Sequence, residues 1–223
     1  MSDLFKENIN NKNKNFIDYL NTGIINNEYK YFKFLIINSK DIKDEVEYLF
    51  EDVFVDPVYL YNDDDIVVIY HNEDEVAEKD YLDILLSISI DYGGKVKVFK
   101  GSPINYDNYK CLEEIYNVYK EYKNKDYIAS GISDLILEFV HKDIKLLNNL
   151  KEKLLYKISD DKQLIKLILV MFECDLNVTK TAGLMYMHRN TINNKIDYIK
   201  KETGFNVQNF KDAMSLYILI KMV

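Results

Sequence analysis

Between residues 188 and 201 stands a run of side chains suited to reading nucleic acid: His188, Arg189, Asn190, Thr191, Asn193, Asn194 and Lys195, followed by Lys200 and Lys201. Arginine can pair bidentately with guanine and asparagine with adenine, while threonine and lysine suit phosphate oxygens. That chemistry needs a rigid element to present the groups on one side. Ile192, Ile196 and Ile199 recur at i, i+4 and i+7, an inner stripe that predicts a helix over 190–201 with the polar residues outside. Upstream, Val178, Thr181, Ala182 and Met185 make the inner face of another helix with Asn177 as its N-cap, which leaves Met187-His188-Arg189 as the turn. Small Ala182 sits where the two helices would cross closely. This is the layout of a helix-turn-helix, whose second helix lies in the major groove of DNA. On that layout Arg189, Asn190 and Asn194 read base edges, Thr191, Asn193 and Lys195 make phosphate or mixed contacts, and His188 stands near the cap of the recognition helix. Spacing alone fits equally well a helical hairpin whose asparagines face solvent.

Other chemistries find little material. His71, His141 and His188 have no ligand-like spacing with Cys111 and Cys174, so no metal site is expected. The chain has no GxxxxGK[ST], GxGxxG or GxSxG, and only seven glycines from which such loops could be built. No enzyme activity and no cofactor are therefore expected. Cys111 and Cys174 read as small apolar packing residues rather than reactive thiols. Tyr106, Tyr109, Tyr116, Tyr119 and Tyr122 fall at helical spacing, which favours a core or dimer face over base stacking.

Charge is unevenly spread over the 223 residues. The formal net charge is −8. Residues 177–223 hold six Lys and Arg189 against Asp197, Glu202 and Asp212, a net of +4, which leaves −12 on the rest. An acidic body with a mildly basic C-terminal module excludes an indiscriminate nucleic-acid coat, because such binding is driven by neutralising phosphates. The first 25 residues contain no apolar run with basic flanks. Neither Leu82 to Ile90 nor Leu216 to Ile220 approaches the roughly 20 apolar residues of a spanning helix. A cytoplasmic protein with no membrane segment is expected.

Stepping along the chain, residues 1–28 read as a loosely amphipathic helix ending in a turn near Gly23. Tyr31 to Asn38 is a strand and Asp41 to Phe54 a helix. Val58 to Tyr61 and Ile66 to His71 form a hairpin across Asn62-Asp63-Asp64-Asp65. Val76 to Tyr92 is a helix closed by Gly93-Gly94, and Val96 to Phe99 a strand. The order β-α-β-β-α-β is the ferredoxin-like arrangement, an antiparallel sheet with one face buried under two helices. From Asn105 onward nothing alternates with period two, so the remainder is expected to be all helical. Its best helices are 106–122, 134–156 and 160–173, the last with Asp160 and Gln163 placed as a capping box. The fold class is thus α+β. The domain division is 1–28 N-terminal helical segment, 29–125 αβ domain, 126–158 helical linker and 159–223 helix-turn-helix domain.

The run Asn177-Val178-Thr179, Ala182, Met187-His188-Arg189-Asn190-Thr191-Ile192 and Thr203-Gly204 resembles the C-terminal helix-turn-helix of PucR/CdaR-type bacterial transcriptional regulators. The family pattern reads close to NVSEAARALFVHRNTLRYRLERIEELTG, with His-Arg-Asn-Thr matched letter for letter. The similarity continues upstream through Gln163 to Glu173 and downstream through Phe210 to Val223, about 60 residues in all. The chain departs from the family at Asn193-Asn194-Lys195, where Arg-Tyr-Arg is usual, so its base preference should differ. More weakly, the β-α-β-β-α-β segment resembles the degenerate GGDEF-like domain of CdaR-type regulators. Its hairpin has lost both glycines and its first strand carries no metal-binding Asp, so nucleotide cyclisation is not expected. Asp63 to Asp65 read as a solvated turn rather than a cation site.

The resemblance implies a regulator bound to double-stranded DNA, and the short reach of one recognition helix implies a homodimer on two half-sites. A small-molecule effector of unread identity is left open. So is an alternative in which the helix-turn-helix is structural and the chain is a ligand- or protein-binding regulatory module.

Overall fold

The computed structural model describes residues 11–24, 29–39, 42–51, 53–71, 76–91, 96–122 and 129–221. The expectations for residues 1–10 and for Gly93-Gly94 lie outside these. The chain divides into two compact units: one holds residues 1–113 and 123–131, the other 114–122 and 132–223.

The first unit is built on strands whose residues are almost continuously β-branched or aromatic. β1 (Tyr31–Asn38) runs antiparallel to β3 (Asp65–Tyr70) on one side and to β4 (Lys97–Lys100) on the other. β2 (Val58–Asn62) pairs antiparallel with β3 in a two-residue hairpin, with Asn62 opposite Asp65. With α2 (Lys43–Glu51) and α3 (Val76–Asp91) as crossovers, the order β2-β3-β1-β4 is the ferredoxin-like one. The overall class is α+β, an αβ unit followed by helices.

One sheet face, with Leu35, Ile37, Tyr59, Tyr61, Ile66, Val68, Tyr70 and Val98, joins Val46 and Phe50 of α2 and Leu85 of α3 in a buried core. The expectation of a single buried face is corrected, because Phe34, Ile36, Leu60, Val67, Ile69 and Phe99 on the opposite face are buried too. That is why the strands read as apolar runs rather than alternating patterns. On that face α1 (Asn11–Thr22) sets Phe16 edge-on to Phe32, their ring centres 5.5 Å apart. Gly101, at the end of β4, is required there: a Cβ would stand 2.1 Å from the Phe34 ring.

Two strands escaped the sequence reading. β5 (Ile104–Asn105) pairs with β1, and β6 (Ala129–Gly131) extends the sheet parallel to β4, so the chain beyond Asn105 is not wholly helical. Three residues, Ala-Ser-Gly, carry no periodic signal. The solvated-turn reading holds at exposed Asp63 and fails at Asp65, which is fully buried and accepts from the Asn38 amide nitrogen at 2.6 Å. The tyrosine row also breaks. Tyr106 lies in a 3-10 turn (Tyr106–Asn108) and Tyr109 just after it, and both rings stand 5.2 Å from that of Tyr19. α4 (Cys111–Tyr122) starts later and carries buried Tyr116, Tyr119 and Tyr122.

In the second unit the single helix expected over 134–156 is two, α5 (Ile132–Phe139) and α6 (Ile144–Leu154). Asp143 between them caps α6, accepting from the amides of Lys145 and Leu146 at 3.0 Å each. α7 (Lys162–Glu173) is capped by Asp161, one residue after the Asp160 expected, with its carboxylate accepting from Gln163 and Leu164. The last helix, α10 (Phe210–Lys221), packs on α5, α6 and α7 through Ala213, Leu216 and Leu219. Of the other apolar residues, Tyr217 is half-buried and stacks on Phe172 of α7 with ring centres 4.5 Å apart, while Phe210 is 71% exposed. A helix apolar on most sides gives its pattern no single face. Hydrogen bonds of Ser133 to Asp212 (2.7 Å) and of Ser215 to the Ser133 carbonyl (3.3 Å) tie α10 to α5. Among the described residues no helix is long and apolar enough to cross a membrane.

Candidate nucleic-acid interface

The site is made by α8 (Val178–Met185) and α9 (Arg189–Thr203). Asn177 caps α8, its side-chain oxygen accepting from the Lys180 amide at 3.0 Å. Thr181 and Ala182 are buried against the neighbouring helices, and the Thr181 hydroxyl lies 2.9 Å from the Asn177 carbonyl and 3.1 Å from Met171 Sδ. A buried hydroxyl is thereby satisfied where the helices approach closely. Met185, expected inside, is only half-buried.

α8 stops because Tyr186 takes a left-handed conformation, φ 52° and ψ 42°, and the Met187 amide turns back to the Ala182 carbonyl at 3.0 Å. The chain restarts as a helix at Arg189, so the turn is Tyr186 to His188, one residue earlier than the spacing suggested. His188 is the N-cap of α9, its ring Nδ1 accepting from the Asn190 amide at 3.2 Å. Gly204, at φ 80°, closes α9 with its amide on the Lys200 carbonyl. α9 is therefore somewhat longer than the 190–201 expected.

Ile192, Ile196, Ile199 and Thr203 are buried, which fixes the opposite, outer side of α9. Asn190 and Asn194, four residues apart, lie along that outer line with Asp197 and Lys201, and all four are exposed. Arg189 and Thr191 are exposed in the first turn. Asn193 and Lys195 flank the line and are half-buried. Arg189 is the one arginine among the chain's 29 basic residues. The first turn of α9 has no acidic residue, so the positive end of the helix dipole is left open to an anion, and Lys200 and Lys201 suit the negative end. Asp197 and Tyr198, the latter 43% exposed, belong to the outer surface and were missed in the sequence. Counting at 100° per residue from the centre of the Ile192, Ile196 and Ile199 stripe places Asp197 on the outer side.

Elsewhere, His71 at the end of β3 stacks on Tyr29 at 4.2 Å and holds its Nε2 2.6 Å from the Tyr106 hydroxyl. Burial depresses its pKa, opposed by the Val55 carbonyl and the Asp56 charge. Among the described residues no group of three or more His, Cys, Asp or Glu converges as a metal site, and Cys111 and Cys174 are buried thiols.

Residues 164–222 match the PucR C-terminal helix-turn-helix domain. The C-terminal unit therefore carries a helix-turn-helix of the PucR type, a module of transcription regulators. The chain is 27% identical over 177 residues to the uncharacterised protein YxkF of Bacillus subtilis (strain 168), covering 73% of this chain and 57% of that protein. It thus spans little more than half the length of that relative. A solved structure, the regulator of polyketide synthase expression from Bifidobacterium adolescentis, aligns over 98% of this chain and 95% of its own at 9% identity, with a TM-score of 0.43.

Proposed function

We propose that the chain is a sequence-specific DNA-binding transcription regulator that reads the major groove through α9. The observation that carries this is the exposed row Arg189, Asn190 and Asn194 at the open N-terminal half of a PucR-type recognition helix. Arg189 pairs with a guanine, and Asn190 and Asn194 with adenines. Thr191, Asn193 and Lys195 hold the backbone on either side, and His188 fixes the start of the helix. One such helix covers only a few base pairs, so the protein acts as a homodimer on half-sites about 34 Å apart. The net +4 of residues 177–223 beside a body of −12 implies few phosphate contacts and a small salt dependence.

Selection from a randomised duplex pool tests this. A two-fold-symmetric consensus with guanine and adenine in each half is expected. No enrichment, or a dependence on salt equivalent to about ten phosphate contacts per protomer, contradicts it.

A second reading has one observation in its favour: the outer line of α9 carries Asp197 between Asn194 and Lys201. A carboxylate there suits a ligand- or protein-binding module in which the helix-turn-helix is structural. A stable complex with a partner protein, together with no retention on heparin or DNA, supports that reading.

A further inference from the structure

Five non-glycine residues among those described have a left-handed backbone: Asp56, Asp63, Asp175, Leu176 and Tyr186. For most L-residues this conformation is strained, while Asp and Asn tolerate it. Three of the five are aspartates. Leu176 is half-buried, and its amide closes α7 on the Met171 carbonyl at 2.8 Å, so packing and hydrogen bonding hold it. Tyr186 has hydrogen bonds of that kind, its amide lying on the Ala182 and Gly183 carbonyls, but no packing. Its side chain is 96% exposed, and it occupies the position after a helix where glycine is the usual residue. Neither the local conformation nor burial accounts for a tyrosine there. Strained residues that packing does not explain point to a contact made outside the folded chain. Tyr186 stands two residues before the N-cap of α9, next to the end of the recognition helix that enters the groove.

We propose that Tyr186 is a DNA-backbone contact, its hydroxyl donating to a phosphate oxygen beside the half-site. This rests on the DNA-binding reading above. A neutral donor to phosphate positions the protein, carries no base preference and releases no counterion.

The test uses the full chain, a selected duplex and a random duplex, with Tyr186→Phe and Tyr186→Gly compared by anisotropy over a range of salt. Y186F is expected to weaken binding to both duplexes by the same factor, about threefold to tenfold, with the salt slope unchanged. Y186G is expected to weaken binding at least as much while raising the melting temperature, because glycine relieves the left-handed strain. Wild-type affinity in Y186F, a loss confined to the selected duplex, or a lower melting temperature in Y186G each overturns the assignment. Failure of the wild type itself to enrich any duplex removes the DNA-binding reading and the contact with it. Tight wild-type binding with an indifferent Y186F removes the contact alone.

Discussion

Asp197 offers a sharp probe of how α9 meets DNA, because it is an exposed carboxylate on the outer line with Asn190, Asn194 and Lys201. A side chain on a helix seated in a groove about 12 Å wide lies within about 8 Å of two phosphates. Each such pair of like charges costs about 0.5 kcal/mol in water before screening. A Debye length of about 8 Å at physiological salt lowers the sum to about 0.4 kcal/mol. Asp197→Asn should therefore tighten binding about twofold, and Asp197→Lys about fourfold, with both gains growing as salt is lowered. Fold stability should barely change, since an exposed charge four residues from Lys201 contributes little. Anisotropy titration of the selected duplex at several salt concentrations, with circular dichroism melting as the control, measures both quantities. Equal affinity of wild type and D197K at low salt would refute the placement of this face against DNA.

Two further outcomes follow from the packing. Ile196 is 2% exposed in the stripe that joins α9 to the rest of its unit, so Ile196→Ala should cost about 2–5 kcal/mol in urea unfolding and Ile196→Val under about 1.5 kcal/mol; near-equal losses would place Ile196 outside the core. His71 has its folded pKa lowered by burial, so the unfolded chain binds its proton first as the medium is acidified. The stability this group confers is present above its unfolded pKa of about 6.5 and is lost as pH falls through the folded value. Urea midpoints should therefore drop below about pH 6.5 in the wild type and drop less in His71→Phe, and parallel pH profiles would show that His71 does not titrate on unfolding.

Much of this was legible in the sequence where neighbouring residues decide structure among themselves. The strand Tyr31–Asn38 and the pattern of Ile192, Ile196 and Ile199 came from local periodicity, and Asn177 from capping chemistry. What escaped depended on partners far along the chain. β6 exists because β4 offers it an edge, not because Ala-Ser-Gly prefers a strand. Asp65 looks like any turn residue until Asn38, 27 positions away, is seen to bind it. The break between α5 and α6 did have a local signal, Asp143, but the apolar residues on either side continued a helical period across it. At the site, the polar run was visible and its division into an outer line and half-buried flanks was not. That division separates Asn190 and Asn194 from Asn193 and Lys195, and it adds Asp197, which the sequence offered only as one charge in the balance of residues 177–223.

Base reading by Arg189 and Asn190 is the step on which recognition by α9 turns. It is tested most directly by titrating the selected duplex, and a duplex changed at its guanine and adenine positions, with wild type and with Arg189→Ala/Asn190→Ala. A dissociation constant of roughly 10⁻⁸ M is expected for wild type, with a loss of at least about 2 kcal/mol in the double variant and a collapsed ratio between the two duplexes. Equal binding of both duplexes by both proteins would contradict it.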